Sequence, residues 1–212
     1  MVNSATLAGF ALVALGMVCT PGPNMIYLLT RSIMQGRLAG FISLLGVVLG
    51  FVVYMISAAL GVTALLLAVP FAYGMLQWAG ALYLLWLAWN AVKPGARSIL
   101  QPRQDLAVDG PRKLFAMGFL TNLLNPKIAV LYLSLLPQFI DPAQGHVLQQ
   151  GILLGMVQIA VSFSVNLAIV FAAGTLARWF ATRPSWLKVQ RWVMASVLAG
   201  LAVRLVLDRR PA

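Results

Sequence analysis

The sequence predicts an all-α integral membrane protein: six transmembrane helices forming two inverted three-helix repeats, with the first and fourth helices broken near the bilayer midplane. Three observations carry that prediction. Of the 212 residues 61% are apolar, and only fifteen basic and four acidic side chains are present, all four acids being aspartates. A soluble domain of this length carries roughly 53 charges, about a quarter of its residues, so this chain cannot cover a water-facing surface. Six apolar runs are near the length of about 20 residues that a span requires, and they leave no room for a separate soluble domain. Prolines interrupt two of the six runs, one in each half of the chain.

The runs lie at about 5 to 30, 39 to 67, 71 to 92, 114 to 136, 148 to 176 and 191 to 207. The first connection holds Arg31 and Arg37, the third Lys93, Arg97, Arg103, Arg112 and Lys113, and the fifth Arg178, Arg183, Lys188 and Arg191. The second, around Val69 and Pro70, and the fourth, Pro137 to Val147, hold no basic residue; Arg204, Arg209 and Arg210 lie in the tail. Eleven basic residues in the odd connections against three opposite put those connections in the cytoplasm and both termini outside. The net charge of +11 is therefore a topology signal that also attracts anionic lipid, and no basic face is left free for nucleic acid. Trp179, Trp186 and Trp192 read as interfacial anchors among the basic residues of the fifth connection. The first run has no basic residue before it and continues past Pro23 to Leu29, so it is expected to be retained, not cleaved as a signal peptide.

The longest polar stretch, 93 to 113, divides the chain into a first three-helix repeat, 1 to 92, and a second, 114 to 212. Three is odd, so related halves must cross the membrane in opposite senses. Gly46 and Gly50 open the second span as Gly151 and Gly155 open the fifth, 105 residues later, and Pro23 and Pro126 are 103 apart. The direct role expected of the paired glycines is close helix packing.

The breaks are where chemistry is expected. Pro21 and Pro23, with Gly22 between them, remove two amide hydrogens and clash with preceding carbonyls, so no continuous helix passes through them. Such a break in lipid is tolerated only when buried in protein or lining a cavity. In the fourth span Asn125 is a good N-cap and Pro126 a good first residue, so a half-helix is expected to begin at Pro126. Each new N-terminus is expected to offer unpaired amides to an anion. Lys127 then falls in mid-membrane, where a cation costs about 2.5–3.5 kcal/mol. All four aspartates, Asp105, Asp109, Asp141 and Asp208, lie outside the spans, so its partner is expected to be a substrate anion. The alternative is that Lys127 binds carbonyls at the end of the first half-helix, near Val18 and Cys19, or is neutral. Asn24, Asn122 and Asn125 flank the breaks and offer donors and acceptors, to the local backbone or to a ligand.

Thr20-Pro-Gly-Pro-Asn24, Arg31-Ser32, Gly36-Arg37, Gly40, Gly118-Phe119, Asn122-Leu-Leu-Asn-Pro-Lys127 and Pro137-Gln-Phe-Ile-Asp-Pro142 together resemble the LysE/RhtB family of amino-acid exporters over nearly the whole chain. The resemblance implies secondary active efflux of amino acids such as homoserine, threonine, leucine or lysine from a bacterial cytoplasm, and hence a multi-pass inner-membrane location. The expected site comprises Lys127, Asn125, Pro126, Asn122, Asn24, Gly22, Pro21 and Pro23, with the α-carboxylate on Lys127 and the half-helix N-termini, and the α-ammonium on carbonyls ending the opposing half-helices with Asn24, Asn122 or Asn125 as further candidates. The resemblance suggests proton coupling, yet no acid lies within a span, so Lys127 or the substrate would have to carry the proton. His146 reads as a loop residue. One cysteine, Cys19, excludes a disulfide framework, a redox pair and a thiolate cluster. With one histidine and four scattered aspartates, neither a nucleophile with its base nor a metal site can be assembled, so no enzyme, metal or cofactor is expected. Transport of another organic anion, a cation or a lipid-linked substrate stays open, with Ser162, Ser164, Asn166, Gln77 and Asn90 as candidates to line a polar path or bond between helices. An oligomer is equally open.

Overall fold

A computed structural model describes residues 2–68, 70–93, 108–181 and 184–207. Residues 94–107, Arg183 and the tail from residue 208 lie outside the described residues, as do the side chains of Gln77, Arg178, Trp179, Trp186, Lys188, Arg191 and Arg204. Among the described residues every regular element is helical.

Asn3 starts α1 (Ser4–Cys19), its side chain accepting from the Thr6 amide at 2.7 Å. The helix stops where Pro21 cannot donate, and Thr20 folds its hydroxyl back onto the Gly16 carbonyl at 2.8 Å. The chain resumes as α2 (Pro23–Gln35), bent 56° from α1, and Gly36, at φ 86°, turns it into α3 (Arg37–Ala68). Next comes α4 (Pro70–Val92). Gly110 and Pro111 start α5 (Pro111–Leu123). A second break, of 50°, leads into α6, which runs as an α-helix over Pro126–Val130 and continues as a π turn (Leu131–Leu135) and a 3-10 turn (Leu136–Phe139). Two long helices, α7 (Val147–Ala181) and α8 (Pro184–Leu207), complete the bundle. Among the described residues two helices, Arg37–Gly61 and Val147–Thr175, are long and apolar enough to cross a membrane, and four elements qualify when each bent pair counts as one span.

The polarity of the molecule is inverted relative to a soluble bundle. Leu38, Trp89 and Trp192 are at least 64% exposed, while Asn122, Gln158 and Lys127 are at most 6% exposed. An apolar outer face around a partly polar interior is the arrangement that lipid as solvent selects. Helices approach closely where side chains vanish. A Cβ on Gly46 would collide with the Phe115 carbonyl oxygen, and one on Gly118 with that of Ser43, so the backbones of α3 and α5 touch. Gly155 similarly admits Met55 where α7 crosses α3. The expected packing role of the paired glycines is therefore the observed one for Gly46, Gly50 and Gly155.

A buried Arg31–Asp109 pair, joined from the exposed side by Lys113, fastens α2 to the start of α5. The Arg31 guanidinium pairs with Asp109 at 2.5 Å, donates to Gln35 Oε1 at 2.8 Å and lies over the Tyr27 ring. Lys113 reaches the same carboxylate at 2.7 Å, and Gln35 Nε2 donates to the Asp109 carbonyl at 3.0 Å. The hydrogen bond from Lys113, reinforced by the charge of Arg31, holds the Asp109 carboxyl below its ordinary value. At the opposite end Gln150 donates to the carbonyls of Asp141 and Gly145 and accepts from the Asp141 amide, pinning the loop before α7. His146 is in that loop, at φ 52°.

Candidate functional site

The two breaks meet, and Lys127 crosses between them. Its ammonium, with the residue 6% exposed, donates to the carbonyls of Met17 at 2.9 Å and Thr20 at 2.6 Å. The choice of carbonyls follows from the sequence. In a continuous helix the Met17 carbonyl would accept from the amide of residue 21 and the Thr20 carbonyl from that of residue 24. Residue 21 is proline and the chain turns extended at Thr20, so both acceptors are orphaned. Lys127 supplies the missing donors. The anchor carbonyls are thus Met17 and Thr20, flanking the Val18 and Cys19 region expected. The cation also rests at the negative end of α1, which favours it. Two hydrogen bonds from a charged donor, each contributing about 1.5–3 kcal/mol, are of the size needed to offset insertion of the ammonium. One of its three hydrogens is left over.

The expectation of two open helix N-termini is met at one break only. At Pro126 the Asn125 side chain accepts from the Lys127 amide at 3.1 Å, and the Ile128 and Ala129 amides both reach the Asn125 carbonyl. No amide is spare there. The carbonyls freed by Pro126 are also taken, Asn122's by the Asn125 amide at 3.0 Å and Leu123's by the Tyr54 hydroxyl at 2.8 Å. At Pro23 the cap is Gly22, which has no side chain, and the amides of Asn24 and Met25 have no partner among the described residues. Gly22 lies so close to Lys127 that a Cβ there would sit 3.1 Å from the ammonium nitrogen. An anion at this point would meet two backbone amides and a cation together.

Beside this junction is a cavity of about 20 Å³, room for one water and far short of the roughly 300 Å³ of a ligand pocket. Lys127 and Asn24 line it, as do Gln158, Ser162 and Asn166 from α7. Of the residues expected at the site, the structure therefore brings Lys127, Asn24 and Gly22 together, with Pro21 and Pro23 shaping the break. Asn125 and Pro126 build the start of α6. Asn122 stands apart, fully buried between α5 and α3, 2.7 Å from where a Gly50 Cβ would be, with neither amide atom partnered among the described residues. Ser164 and Asn90 bond back to their own helices, at the carbonyls of Ala160 and Trp86.

Two contributors were not foreseen. Tyr132, on the π turn and stacked on Tyr54, donates to Gln158 Oε1 at 2.5 Å, and Gln158 Nε2 donates to Ser162 Oγ at 2.8 Å. The available signal was spacing: Gln158, Ser162 and Asn166 recur every four residues on one face of an otherwise apolar helix.

The profile of the LysE type translocator family matches residues 15–209. The chain belongs to the LysE type translocator family. Leucine efflux proteins of Enterobacter sp. and Klebsiella pneumoniae are 27% and 26% identical to it, each alignment covering about nine-tenths of both chains. An uncharacterised membrane protein of Pseudomonas aeruginosa is 29% identical over 89% of this chain and 88% of its own. No solved structure matches. Family membership and the apolar helices together make this translocator a membrane protein.

Proposed function

We infer that the protein is a secondary transporter that exports neutral amino acids across the bacterial inner membrane, by alternating access of a site where the two broken spans meet. One observation carries the site: Lys127 and the unpaired Asn24 and Met25 amides converge at Gly22, a ready place for an α-carboxylate. Family membership and the leucine efflux relatives support amino-acid efflux. The absence of any acid within a span supports a neutral cargo over a cationic one such as lysine.

Six spans in two inverted halves remain the architecture we propose, with residues 1–92 and 114–212 as the repeats and 93–113 as a cytoplasmic connection. The packing supports it: α5 lies against α3 as α1 lies against α7, and the α3–α7 and α4–α8 contacts map onto themselves when the halves exchange. Both termini then lie outside and the Arg31–Asp109 cluster at the cytoplasmic end. Proton coupling is part of the proposal, with Lys127 or the substrate as the carrier. Counterflow of labelled leucine, threonine and homoserine in vesicles, with and without a pH gradient, tests the reading. We expect exchange that Lys127→Ala abolishes and Lys127→Arg impairs. Unaltered transport by both variants at equal abundance would reduce Lys127 to a clamp on α1, the role its two carbonyl bonds also fit.

A further inference from the structure

With the carboxylate on Lys127, the substrate's α-ammonium still lacks a partner, and other residues lining the cavity offer one. Asn24 is 6% exposed, lines the cavity, and its Oδ1 has no partner among the described residues. Asn166 is 2% exposed and gives an amide hydrogen to the Ser162 carbonyl at 2.8 Å, which leaves its Oδ1 unused among the described residues. Ser162, also 2% exposed, receives Gln158 Nε2 on its hydroxyl oxygen, which keeps a second lone pair. Gln158 in turn is fixed by the Tyr132 hydroxyl. Neutral acceptors, braced on α7, therefore share the lining with a cation, in a cavity without an acid among its lining residues. Of these oxygens Asn24 Oδ1 is fully buried and unpaired among the described residues, which is costly to maintain without a use.

We propose that Asn24, Ser162 and Asn166 form the subsite for the substrate's α-ammonium, with Gln158 as the residue that positions Ser162. An ammonium has three hydrogens to place and this subsite has three oxygens to receive them. The remaining lining, including Met25, Phe51 and Leu131, is apolar and would face an aliphatic side chain once alternating access widens the cavity beyond its present room for one water. This subsite rests on the carboxylate assignment to Lys127, and together they define the ligand class as a zwitterionic α-amino acid with an uncharged side chain. The row on α7 is then what separates an amino acid from the 2-hydroxy acid of the same shape: the hydroxyl of the analogue offers one hydrogen and no charge.

The test is counterflow of labelled leucine in vesicles holding the full-length protein, competed by unlabelled leucine or by 2-hydroxy-4-methylpentanoate. In the wild type, leucine should compete at concentrations about 10- to 100-fold below the hydroxy acid, the range for losing hydrogen bonds to a charged group. Asn166→Leu should erase most of that preference by weakening leucine while leaving the hydroxy acid within about 3-fold, the ~0.6 kcal/mol scale of an untouched contact. Asn166→Asp, which keeps the acceptor, should retain the preference. Ser162→Ala removes one oxygen with little change of shape and should lose part of it, so the test survives if Asn166→Leu does not fold. The proposal is overturned if Asn166→Leu and Ser162→Ala, at wild-type abundance, keep the preference or weaken both competitors alike. If the wild type exchanges no amino acid at all, the exporter reading itself fails, an outcome distinct from the loss of this subsite.

Discussion

The α3–α5 crossing makes the sharpest prediction about the fold. A Cβ at Gly46 would overlap the Phe115 carbonyl oxygen, with the Phe119 amide nitrogen 2.9 Å away; a Cβ at Gly118 would overlap the Ser43 carbonyl oxygen, with the Val47 amide nitrogen at 3.3 Å. The obstacles are backbone atoms of a rigid helix, so no rotamer change relieves them and the helices must move apart. Overpacking of this kind costs about 1–3 kcal/mol, and a clash with backbone belongs at the upper end. For a chain of this size that corresponds to roughly 6–12 °C in unfolding temperature, at about 2–4 °C per kcal/mol. Gly46→Ala and Gly118→Ala relieve themselves by the same separation, so the double variant should lose clearly less than the sum of the two. Gly61→Ala and Gly200→Ala, where an added Cβ meets nothing within 4 Å, are the controls and should be neutral or slightly stabilising. Thermal unfolding of the detergent-solubilised protein, followed by size exclusion, reads all five variants. If Gly46→Ala unfolds within about 2 °C of Gly61→Ala, less than ~1 kcal/mol apart, the close crossing is not what these glycines provide.

The Arg31–Asp109–Lys113 cluster should confer acid sensitivity. Because Lys113 and Arg31 hold the Asp109 carboxyl below its ordinary value, their stabilisation is present above the ordinary carboxylate range and lost as pH falls through the lowered value, below about pH 4. Unfolding temperatures at pH 7 and pH 3 should therefore differ less in Asp109→Asn than in the wild type, and an equal difference would refute the linkage. Tyr132→Phe strips the donor from a buried Gln158 oxygen, a loss of about 1–3 kcal/mol, or roughly 2–12 °C in the same unfolding assay. Lys127→Met should destabilise α1 as well as stop transport, since it re-orphans the Met17 and Thr20 carbonyls; faster hydrogen exchange across Ser4–Cys19 would register it.

Much of this architecture was legible because lipid leaves few solutions. Apolar run lengths placed the helices, and the prolines placed both breaks to within a residue or two, since a missing amide and a ring clash act locally. The start of α6 at Pro126 was readable for the same reason. What the prolines could not reveal was which freed groups would find partners, because those partners come from far along the chain: Tyr54 for the Leu123 carbonyl, Lys127 for Met17 and Thr20. The π turn over Leu131–Leu135 has no local signature in Leu-Tyr-Leu-Ser-Leu, so the aim of Tyr132 at Gln158 was hidden. Asn122 had the right composition and neighbourhood for the site, but its helix face turns it to Gly50 and away from the cavity. The polar row on α7 was legible in spacing, yet four-residue recurrence alone does not separate a wall of the site from bonds between helices.

The inverted-repeat reading gives these differences a direction. With Pro23 matched to Pro126, Gly22 corresponds to Asn125 and Asn24 to Lys127. One break therefore carries the cap that consumes its amides and the other carries none; one carries the cation and the other a neutral amide. The same holds for the helices alongside, where the row Gln158, Ser162 and Asn166 on α7 corresponds, 105 residues earlier, to Val53, Ser57 and Gly61 on α3. In the proposed repeat, two backbones of similar plan would carry unlike chemistry, and the residues lining one cavity draw on both halves: the cation and the α7 acceptors from the second, Asn24 and Met25 from the first. A symmetric pair of open helix ends would favour two like charges. A closed end, an open end, a lysine and a row of acceptors favour a single ligand with one charge of each sign, and the lysine that would hold its carboxylate is the same group that keeps α1 joined to α6. On the proposed function, substrate binding and helix movement would be coupled through one ammonium, because a carboxylate competing for Lys127 would loosen the clamp on Met17 and Thr20.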